Sequence, residues 1–441
     1  MAVISLELNE LNFDYVKFFV GQGKLPTFAR LLDKLQLFET VAEKEYPYLE
    51  PWIQWPSVYT GKTYAEHGIF RLGDAIYKPQ DQIWEEVERL GGTVGAVSPM
   101  NAVNRCVDPD FFLPDPWTNT KITADPRTEK LFGLIRALVN DNASSDQSTF
   151  NLGKQILPLA LPYLQGQSLT RYFRVLPTAL KHKWAKAGFL DCLLADLFLS
   201  LVKRHGTQFA SLFLNAGAHI QHHHMYDSNV YQGDRANPTW YSSAAGNDAD
   251  PLLFIYSLYD TVVAQFLDRA DTHLLITTGL SQIPNERDHY QYRIVEFDQF
   301  FSTVGLTGAR IEPRMSRDFL LAFDTADAAQ AGTALLDRIR CGDAPLFKIE
   351  DRGETLFCQV AYFGPPAGLE EISIDGKEQN LREKFVLVSI ENGIHQTIGY
   401  HLDSRIGKTA DMATRIPLTE VHERLLAAAK AGIEPRIAKA A

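Results

Sequence analysis

The sequence has little cysteine and no long apolar run. Its four cysteines are scattered without CxxC spacing, which favours reduced buried thiols over a disulfide frame or a zinc knuckle. No stretch reaches the roughly 18 consecutive apolar residues of a transmembrane helix. The first residues resemble a strand and not a basic segment followed by an apolar one, so we expect no secretory signal and a cytoplasmic location.

The chain also lacks an excess of positive charge, since its formal net charge is −11. Nucleic acid and anionic membranes are bound through basic surfaces, so we expect neither as a partner. A small molecule, a sugar or a phosphoester is the expected kind of substrate, and the oligomeric state is not predicted. One basic segment stands out, "RYFRVLPTALKHKWAK" at residues 171–186. It fits either a solvated face or a surface that attracts an anionic substrate.

Alternating strand and helix patterns run along the rest of the chain. A strand at Val3–Leu8 precedes helices at Phe13–Gly21 and Pro26–Leu35, and a second strand follows the "GG" break at 91–92. This order predicts an α/β fold, a mainly parallel sheet sandwiched by helices, with a helical cap insertion and a smaller α/β excursion. The predicted division is an α/β core at 1–108, 196–300 and 390–441, a cap at 109–195 and a small subdomain at 301–389.

Polar side chains concentrate where the predicted strands end, which is where open parallel sheets bind ligands. These segments are Glu7–Glu10, the region of Glu50, residues 215–227 and residues 391–403. The third contains four of the twelve histidines, at 219 and 222–224. Imidazole is the commonest transition-metal ligand, but a histidine cluster alone is more often explained by packing and hydrogen bonding.

The order of several motifs resembles the alkaline phosphatase superfamily, and in particular its type I phosphodiesterase/nucleotide pyrophosphatase branch. The motifs are "GKLPTFARLL", "WPSVYTGKTYAEHGIF", "FLNAGAHIQHHHMY" and a late "GIHQTIGY". The resemblance runs from Val3 to about Gly399. It implies an alkaline phosphatase-like core that hydrolyses a phosphate, phosphodiester or sulfate ester, usually with two metal ions held by Asp and His.

Most of the metal ligands and the nucleophile of that family are replaced here. The family's first metal Asp falls on Asn9, and its nucleophile falls on Pro51, beside Glu50. Its Asp-x-x-x-His pair falls on Ala218 and His222, and its Asp-His-Gly turn falls on Thr278 and Gly279. Its last His falls on His395. Only His222 and His395 remain of the usual ligands. A two-metal mechanism is therefore not expected. The ligands that remain are expected to hold one divalent ion, zinc or manganese, or none.

The polar residues that replace the family ligands are assigned provisional roles. Glu10 and Glu50 are the predicted catalytic carboxylates, as acid/base or nucleophile, and His222 and His395 are the predicted metal ligands. The predicted substrate-binding residues are Asn9, Trp52, Gln54, Trp55, His219 and His223. For the two tryptophans, core packing is the commoner explanation.

Three functions of different classes follow from these roles. The first is a divergent hydrolase of an anionic ester, with one metal ion held by His222, His395 and a neighbour such as His219 or Glu10. The second is a metal-independent enzyme in which Glu10 and Glu50 flank a glycosidic bond. The third is a non-catalytic pseudoenzyme that binds a ligand.

Three other polar residues are expected to be structural or to lie outside the site. Glu7 lies within the first strand, where it can hydrogen-bond a neighbouring element. His67 lies at a predicted turn between a helix and a strand. His401 is expected on the same strand as His395, so that only one of the two faces the site.

Overall fold

The computed structural model describes residues 2–45, 48–140, 146–242, 249–267, 269, 271–287, 289–313, 317–409 and 414–440. The chain divides into two compact units. The first combines Met1–Pro284 with Gly393–Ala441, and the second is Asn285–Asn392.

The strands alternate with helices through the first half of the chain and cluster in the second half. In chain order they are β1 Ala2–Leu8, β2 Leu35–Val41, β3 Val94–Val97, β4 Phe111–Leu113, β5 Phe209–Leu214, β6 Thr272–Thr277, β7 Ser281–Pro284, β8 Tyr290–Ile294, β9 Arg310–Pro313, β10 Asp318–Ala322, β11 Ile339–Cys341, β12 Ala344–Pro345, β13 Phe347–Asp351, β14 Thr355–Val360, β15 Ile372–Ile374, β16 Lys377–Glu378, β17 Phe385–Ile390, β18 Gly393–Gln396, β19 Ile398–Gly407 and β20 Arg415–Pro417.

The helices fall mostly in the first unit. They are α1 Phe13–Gly21, α2 Pro26–Lys34, α3 Pro51–Thr60, α4 Tyr64–His67, α5 Ile83–Arg89, α6 Pro126–Asn140, α7 Asp146–Ala160, α8 Leu169–Lys181, α9 Ala185–His205, α10 Ala216–His224, α11 Thr239–Ser242, α12 Pro251–Leu267, α13 Phe297–Val304, α14 Ala326–Leu336 and α15 Glu420–Ala440. Short 3-10 helices add Asp74–Tyr77, Leu161–Tyr163, Gly166–Ser168, Met225–Asp227, Pro366–Glu371 and Arg382–Lys384.

The main sheet of the first unit confirms the predicted α/β class. Its strands, as far as the structure describes them, follow the order β20-β2-β19-β6-β1-β5-β3-β4. Pairing is parallel from β6 through β1, β5 and β3 to β4, and β19 is antiparallel to both of its neighbours. Adjacent parallel strands present their carboxyl ends at one edge, so β1, β5 and β6 end side by side.

Alternation along β1 divides the hydrophobic core into two layers. Ile4, Leu6 and Leu8 pack into the layer formed with helices α1, α2, α9 and α12. Val3 points to the other layer, where α3, α5 and α15 contribute residues such as Trp55 and Val58. The sheet therefore lies between two helical layers, as the alternating order of strand and helix patterns predicted.

The residues of the predicted cap contain both sheet and helix. Within 109–195, β4 joins the edge of the main sheet, and α6, α7 and α8 follow it before α9 begins. A buried ion pair of 2.8 Å between Arg171 and Asp196 joins α8 to α9. The cap boundaries stay a prediction. Arg171 is part of this buried pair and does not contribute to a basic surface.

The second unit has its own sheets and core. Strands β9, β10, β14 and β13 form one antiparallel sheet, and β12, β11, β15 and β16 form another. Phenylalanines pack between these sheets and helix α13 in a separate core that includes Phe300, Phe319 and Phe347. The described helices of both units lack the combination of length and apolar composition that crossing a bilayer requires.

Candidate functional site

The ends of β1 and β5 carry polar side chains to one edge of the sheet. Asn9 and Glu10 follow β1 directly, and Asn215 follows β5 and precedes helix α10, which carries His222. Since β1 and β5 pair in parallel up to Leu8 and Leu214, these groups begin at the same level of the sheet.

The turn after β1 directs the Glu10 side chain. Glu10 has φ of 60°, in the left-handed region that residues with a Cβ adopt only at a cost of about 1–2 kcal/mol. Its backbone N–H donates to Thr278 O at 3.0 Å, and the next N–H, of Leu11, donates to Leu8 O at 3.2 Å. These two bonds offset the strain and fix the backbone from which the carboxylate extends.

A short antiparallel ladder brings a second imidazole to the same place. Strands β7 and β18 pair so that His395 lies opposite Gln282 and Gly393 lies opposite Pro284. His395 therefore enters the site from a ladder outside the main sheet, next to the end of β1.

Glu10, His222 and His395 form a compact triangle of ligand atoms. Glu10 Oε2 lies 3.1 Å from His222 Nε2 and 3.1 Å from His395 Nε2, and the two nitrogens are 3.2 Å apart. Glu10 is buried, whereas both histidines are half-buried. Among the described residues, these three form the group suited to hold a metal ion.

The outer nitrogen of each histidine meets an acceptor. His222 Nδ1 lies 2.8 Å from Gly393 O, and because a carbonyl only accepts, Nδ1 must carry the proton. A neutral His222 then presents an unprotonated Nε2 to the triangle. His395 Nδ1 lies 3.5 Å from Glu50 Oε2, which favours the same tautomer. Carbonyl and carboxylate groups orient metal-binding histidines in this way.

Two amide side chains hold the Glu10 carboxylate. Asn9 Nδ2 donates to Glu10 Oε1 at 2.9 Å, and Gln282 Nε2 donates to Glu10 Oε2. Asn9 in turn accepts from Trp55 Nε1 at 2.7 Å and donates to Asn215 Oδ1 at 2.8 Å. The carboxylate therefore has little freedom to rotate.

The pKa of Glu10 reflects two opposing influences. Burial raises the pKa of this carboxyl group, but positive charge on the imidazoles of His395 and His222, together with hydrogen bonds from them, outweighs that effect and holds the pKa well below its ordinary value. When the two imidazoles are neutral, a bound cation would supply that positive charge. The site therefore favours an ionised carboxylate, which is the form that binds a cation.

Gln282 and Gly393 fit together closely beside the triangle. A Cβ on Gly393 would lie 2.3 Å from Gln282 Oε1 and 3.0 Å from Gln221 O, so a glycine is needed here. Gln282 Oε1 is buried and has no hydrogen-bond partner among the described residues. An unpaired buried oxygen is costly, which indicates a polar group that belongs next to it.

The size of the triangle fits one divalent ion. With ligand bonds of about 2.05 Å, donor atoms are about 3.3 Å apart around a tetrahedral ion and about 2.9 Å apart around an octahedral one. The observed edges of 3.1, 3.1 and 3.2 Å lie between these values. Two imidazoles and one carboxylate are a donor set that zinc and iron use, with positions left open for water or substrate.

Some of the predicted substrate-binding residues bond elsewhere. The Gln54 side chain donates to Tyr48 O at 2.7 Å and accepts from the Glu43 N–H at 3.3 Å, so it supports the loop before α3. Trp52 Nε1 donates to Phe70 O at 3.2 Å. Trp55 is buried, and its Nε1 donates to Asn9 Oδ1. Substrate binding by Gln54 and the tryptophans stays a prediction.

The other histidines of the cluster do not join the triangle. His219 is exposed, and its ring packs edge-on against His223 with centroids 4.9 Å apart. His224 Nδ1 lies 3.1 Å from Asp227 Oδ2. Of the two neighbours suggested as a third ligand, Glu10 is therefore in the triangle and His219 is not.

Two further histidines have local structural roles. The N–H of Ile69 donates to His67 Nδ1 at 3.0 Å, so Nε2 carries the proton and donates to Ser57 Oγ at 3.2 Å. His67 therefore cannot activate Ser57 as a base. His401 lies on β19, not on the strand of His395, and faces Thr277 Oγ1 at 2.9 Å. The expectation of one shared strand was wrong because the ladder of β18 ends at Gln396.

Sequence reasoning missed Gln282 and Gly393. Gly393 lies in the segment 391–403 that was noted for its polar residues, whereas Gln282 ends the run "THLLITTGLSQ", in which the family pattern drew attention to Thr278 and Gly279. Thr278 instead accepts from the Tyr400 N–H at 2.8 Å. The β7–β18 pairing, which the sequence pattern does not reveal, is what places Gln282 and Gly393 here.

Similarity to known proteins is confined to solved structures. No protein-family model matches the chain, and no curated protein does either. The chain is similar to phosphonoacetate hydrolase from Sinorhizobium meliloti 1021 in complex with phosphonoformate, with 12% identity, coverage of 97% of this chain and 96% of that chain, and a TM-score of 0.43. It is also similar to murine ectonucleotide pyrophosphatase/phosphodiesterase 5, with 12% identity, coverage of 97% and 95%, and a TM-score of 0.39.

Proposed function

We propose that the protein is a hydrolase of an anionic ester, a phosphate, phosphodiester or sulfate, that works with one divalent ion at Glu10, His222 and His395. The observation that carries this proposal is the triangle of one carboxylate oxygen and two imidazole nitrogens with edges of 3.1 to 3.2 Å. The class of substrate comes from the resemblance of the motifs to the alkaline phosphatase superfamily, whose fold we infer for the core.

The surroundings of the triangle support a built site. Gly393 O and Glu50 lie against the outer nitrogens of the two histidines, and Asn9 and Gln282 hold the carboxylate. Partners of this kind raise metal affinity by about 10- to 100-fold in known sites. A group of uncharged side chains in the core would not need partners that orient two imidazoles and a carboxylate.

Each residue has a distinct part in the reaction. When bound, the ion supplies a Lewis acid that polarises the ester and makes water more acidic. Glu50 is the more exposed carboxylate, with 31% of its side chain accessible, so we assign it the transfer of protons at the site. Pro51 stands at the family's nucleophile position, so we infer that water attacks the ester directly and that no covalent intermediate forms on the chain.

The glycosidic alternative is less well supported by the geometry. Glu10 and Glu50 lie on opposite sides of the His395 ring, at 3.1 Å from Nε2 and 3.5 Å from Nδ1. The imidazole therefore fills the space between the carboxylates in which a glycosidic bond would have to bind.

Metal analysis of the purified protein, combined with an ester panel, tests the proposal. We expect close to one equivalent of zinc, manganese or iron, and hydrolysis of nitrophenyl phosphate, phosphodiester or sulfate that a chelator abolishes and the metal restores. A protein that binds none of these metals when they are added would refute the metal site. If the protein binds metal but hydrolyses none of the esters, the hydrolase proposal fails and the non-catalytic binding module is the function that remains.

A further inference from the structure

Helix α8 exposes a continuous apolar stripe. Leu169, Phe173, Leu176 and Leu180 follow a spacing of four, three and four residues, which places them on one face of a helix. They are 46%, 75%, 44% and 80% exposed. The helix spans about 20 Å at about 1.5 Å per residue, so the stripe is long enough to act as a surface.

The helix is anchored through a different face. Arg171, Val175 and Ala179 are buried, and Arg171 forms the ion pair with Asp196 of α9. Tyr172 also donates to Asp196, at 3.0 Å. The apolar stripe is thus not the side through which α8 is held to the described part of the chain.

Positive charge accompanies the stripe. Arg174 and Lys181 lie on the helix beside it, and the exposed Lys183 and Lys186 follow its end. Residues 147–190 contain no Asp or Glu, although the chain has a net charge of −11. The sequence analysis expected no anionic membrane as a partner because the total charge of the chain is negative. The charge of this segment differs from that of the whole chain, because its charged residues are all basic.

We propose that α8 docks the protein on an anionic lipid surface, with Phe173, Leu176 and Leu180 inserted and the cations at the headgroups. An exposed apolar stripe with lysine and arginine alongside is the pattern of helices that lie in the plane of a membrane interface. A second copy is a poorer occupant. A symmetric pairing of α8 with itself would gather the cations of both copies around one interface, and residues 147–190 contain no Asp or Glu to neutralise them.

Vesicle co-sedimentation of the full chain tests this surface. We expect binding to vesicles of phosphatidylcholine mixed with phosphatidylglycerol, weak binding to phosphatidylcholine alone, and a decrease with added salt because the lipid charge is screened. Phe173→Glu combined with Leu180→Glu should lower the partition coefficient by about tenfold or more. Arg174→Glu with Lys181→Glu should lower it only for the anionic vesicles.

A matched control separates the stripe from general surface effects. Val107→Glu changes an apolar residue that is 88% exposed and lies outside the segment, and it should not alter binding. Circular dichroism confirms that each variant is folded. Unchanged binding by the Phe173/Leu180 variant, or no binding by the wild type, would overturn the proposal. The proposal would also be overturned if the wild type formed a dimer and did not bind vesicles, and the Phe173/Leu180 variant were monomeric. The stripe would then bind a second copy of the chain.

Discussion

Glu7 and Glu10 are two buried carboxyl groups that lie three residues apart in the first segment of the chain, and their surroundings shift their pKa values in opposite directions. Glu7 faces the helical layer of α3, where Tyr59 donates to its Oε2 at 2.7 Å and Ser5 to its Oε1 at 3.3 Å. Burial raises the pKa of Glu7 to about 8, and these neutral donors only partly oppose that effect. Glu10 faces two imidazoles, and its pKa is low.

The difference shows what distinguishes a site from a core position. Burial alone drives a carboxyl group toward its neutral form, as in Glu7, which is then one more hydrogen-bonded core residue. The same burial combined with two imidazoles at 3.1 Å favours the ionised form of Glu10. The partners of a carboxylate, and not its depth, therefore identify the candidate site, and the following changes test that contrast.

The largest effect is expected from removing a ligand of the triangle. Glu10→Gln, His222→Ala and His395→Ala should each lower metal affinity by more than about 100-fold and abolish metal-dependent hydrolysis, because too few ligands would remain. Metal titration by calorimetry measures the affinity. His219→Ala is the matched control, because His219 lies on the same helix as His222 but is exposed outside the triangle. Equal loss in this control would contradict the assignment.

A smaller effect is expected from Gly393→Ala. Its Cβ would lie 2.3 Å from Gln282 Oε1, so Gln282, a partner of Glu10, would have to move. We expect metal affinity to fall by about 10- to 100-fold while the fold is retained. Gly21→Ala is the control, because a Cβ on Gly21 meets nothing within 4 Å. Unchanged metal affinity in Gly393→Ala would mean that Gln282 does not support the carboxylate.

Glu50→Gln should affect turnover more than metal binding. The substitution keeps the shape of the side chain but removes the charge next to His395 Nδ1. We expect kcat to fall by about 10- to 100-fold, with the pH dependence of kcat altered and the metal content unchanged. Glu45→Gln, at an exposed position five residues earlier, provides the control. Full activity with the wild-type pH profile would remove Glu50 from both the metal-dependent mechanism and the glycosidic alternative.

The smallest effect on the site, but a visible effect on stability, is expected from Glu7→Gln. The folded pKa of about 8 exceeds the ordinary 4.5, so the wild-type stability is full below pH 4.5 and falls as the pH rises toward 8. Glutamine cannot ionise and avoids this loss, which amounts to at most about 1.4 kcal/mol per pH unit. Urea unfolding at several pH values should show that the free energy of unfolding of the variant increases relative to that of the wild type as the pH rises from 4.5 to 8. A constant difference would mean that Glu7 is ionised in the folded protein.

The sequence predicted elements well where local patterns were strong. The helix at Phe13–Gly21 has the predicted bounds, the next helix begins at Pro26 as predicted, and the mainly parallel α/β sheet is confirmed. Apolar periodicity and flanking turn residues are local signals, so they can be identified without the fold. The roles of Glu10, Glu50, His222 and His395 stay predictions, although these four side chains do lie together.

The parts that sequence reasoning missed depend on distant pairings. His395 was expected to share a strand with His401, but β18 pairs with β7 and β19 pairs with β6 and β2. Gln282 and Gly393 enter the site through that first pairing. No local pattern specifies which strands pair, because the pairing is selected by the packing of the whole chain.

By itself, the sequence determined that polar groups follow the ends of strands in a parallel sheet, since period-two patterns and their polar ends are encoded in neighbouring residues. Only the tertiary structure decided that Glu10 and not His219 joins His222 and His395, that Glu7 is buried so that its pKa is raised, and that the stripe on α8 faces outward. Each of these depends on contacts between residues far apart in the chain, and such contacts set distance, burial and charge.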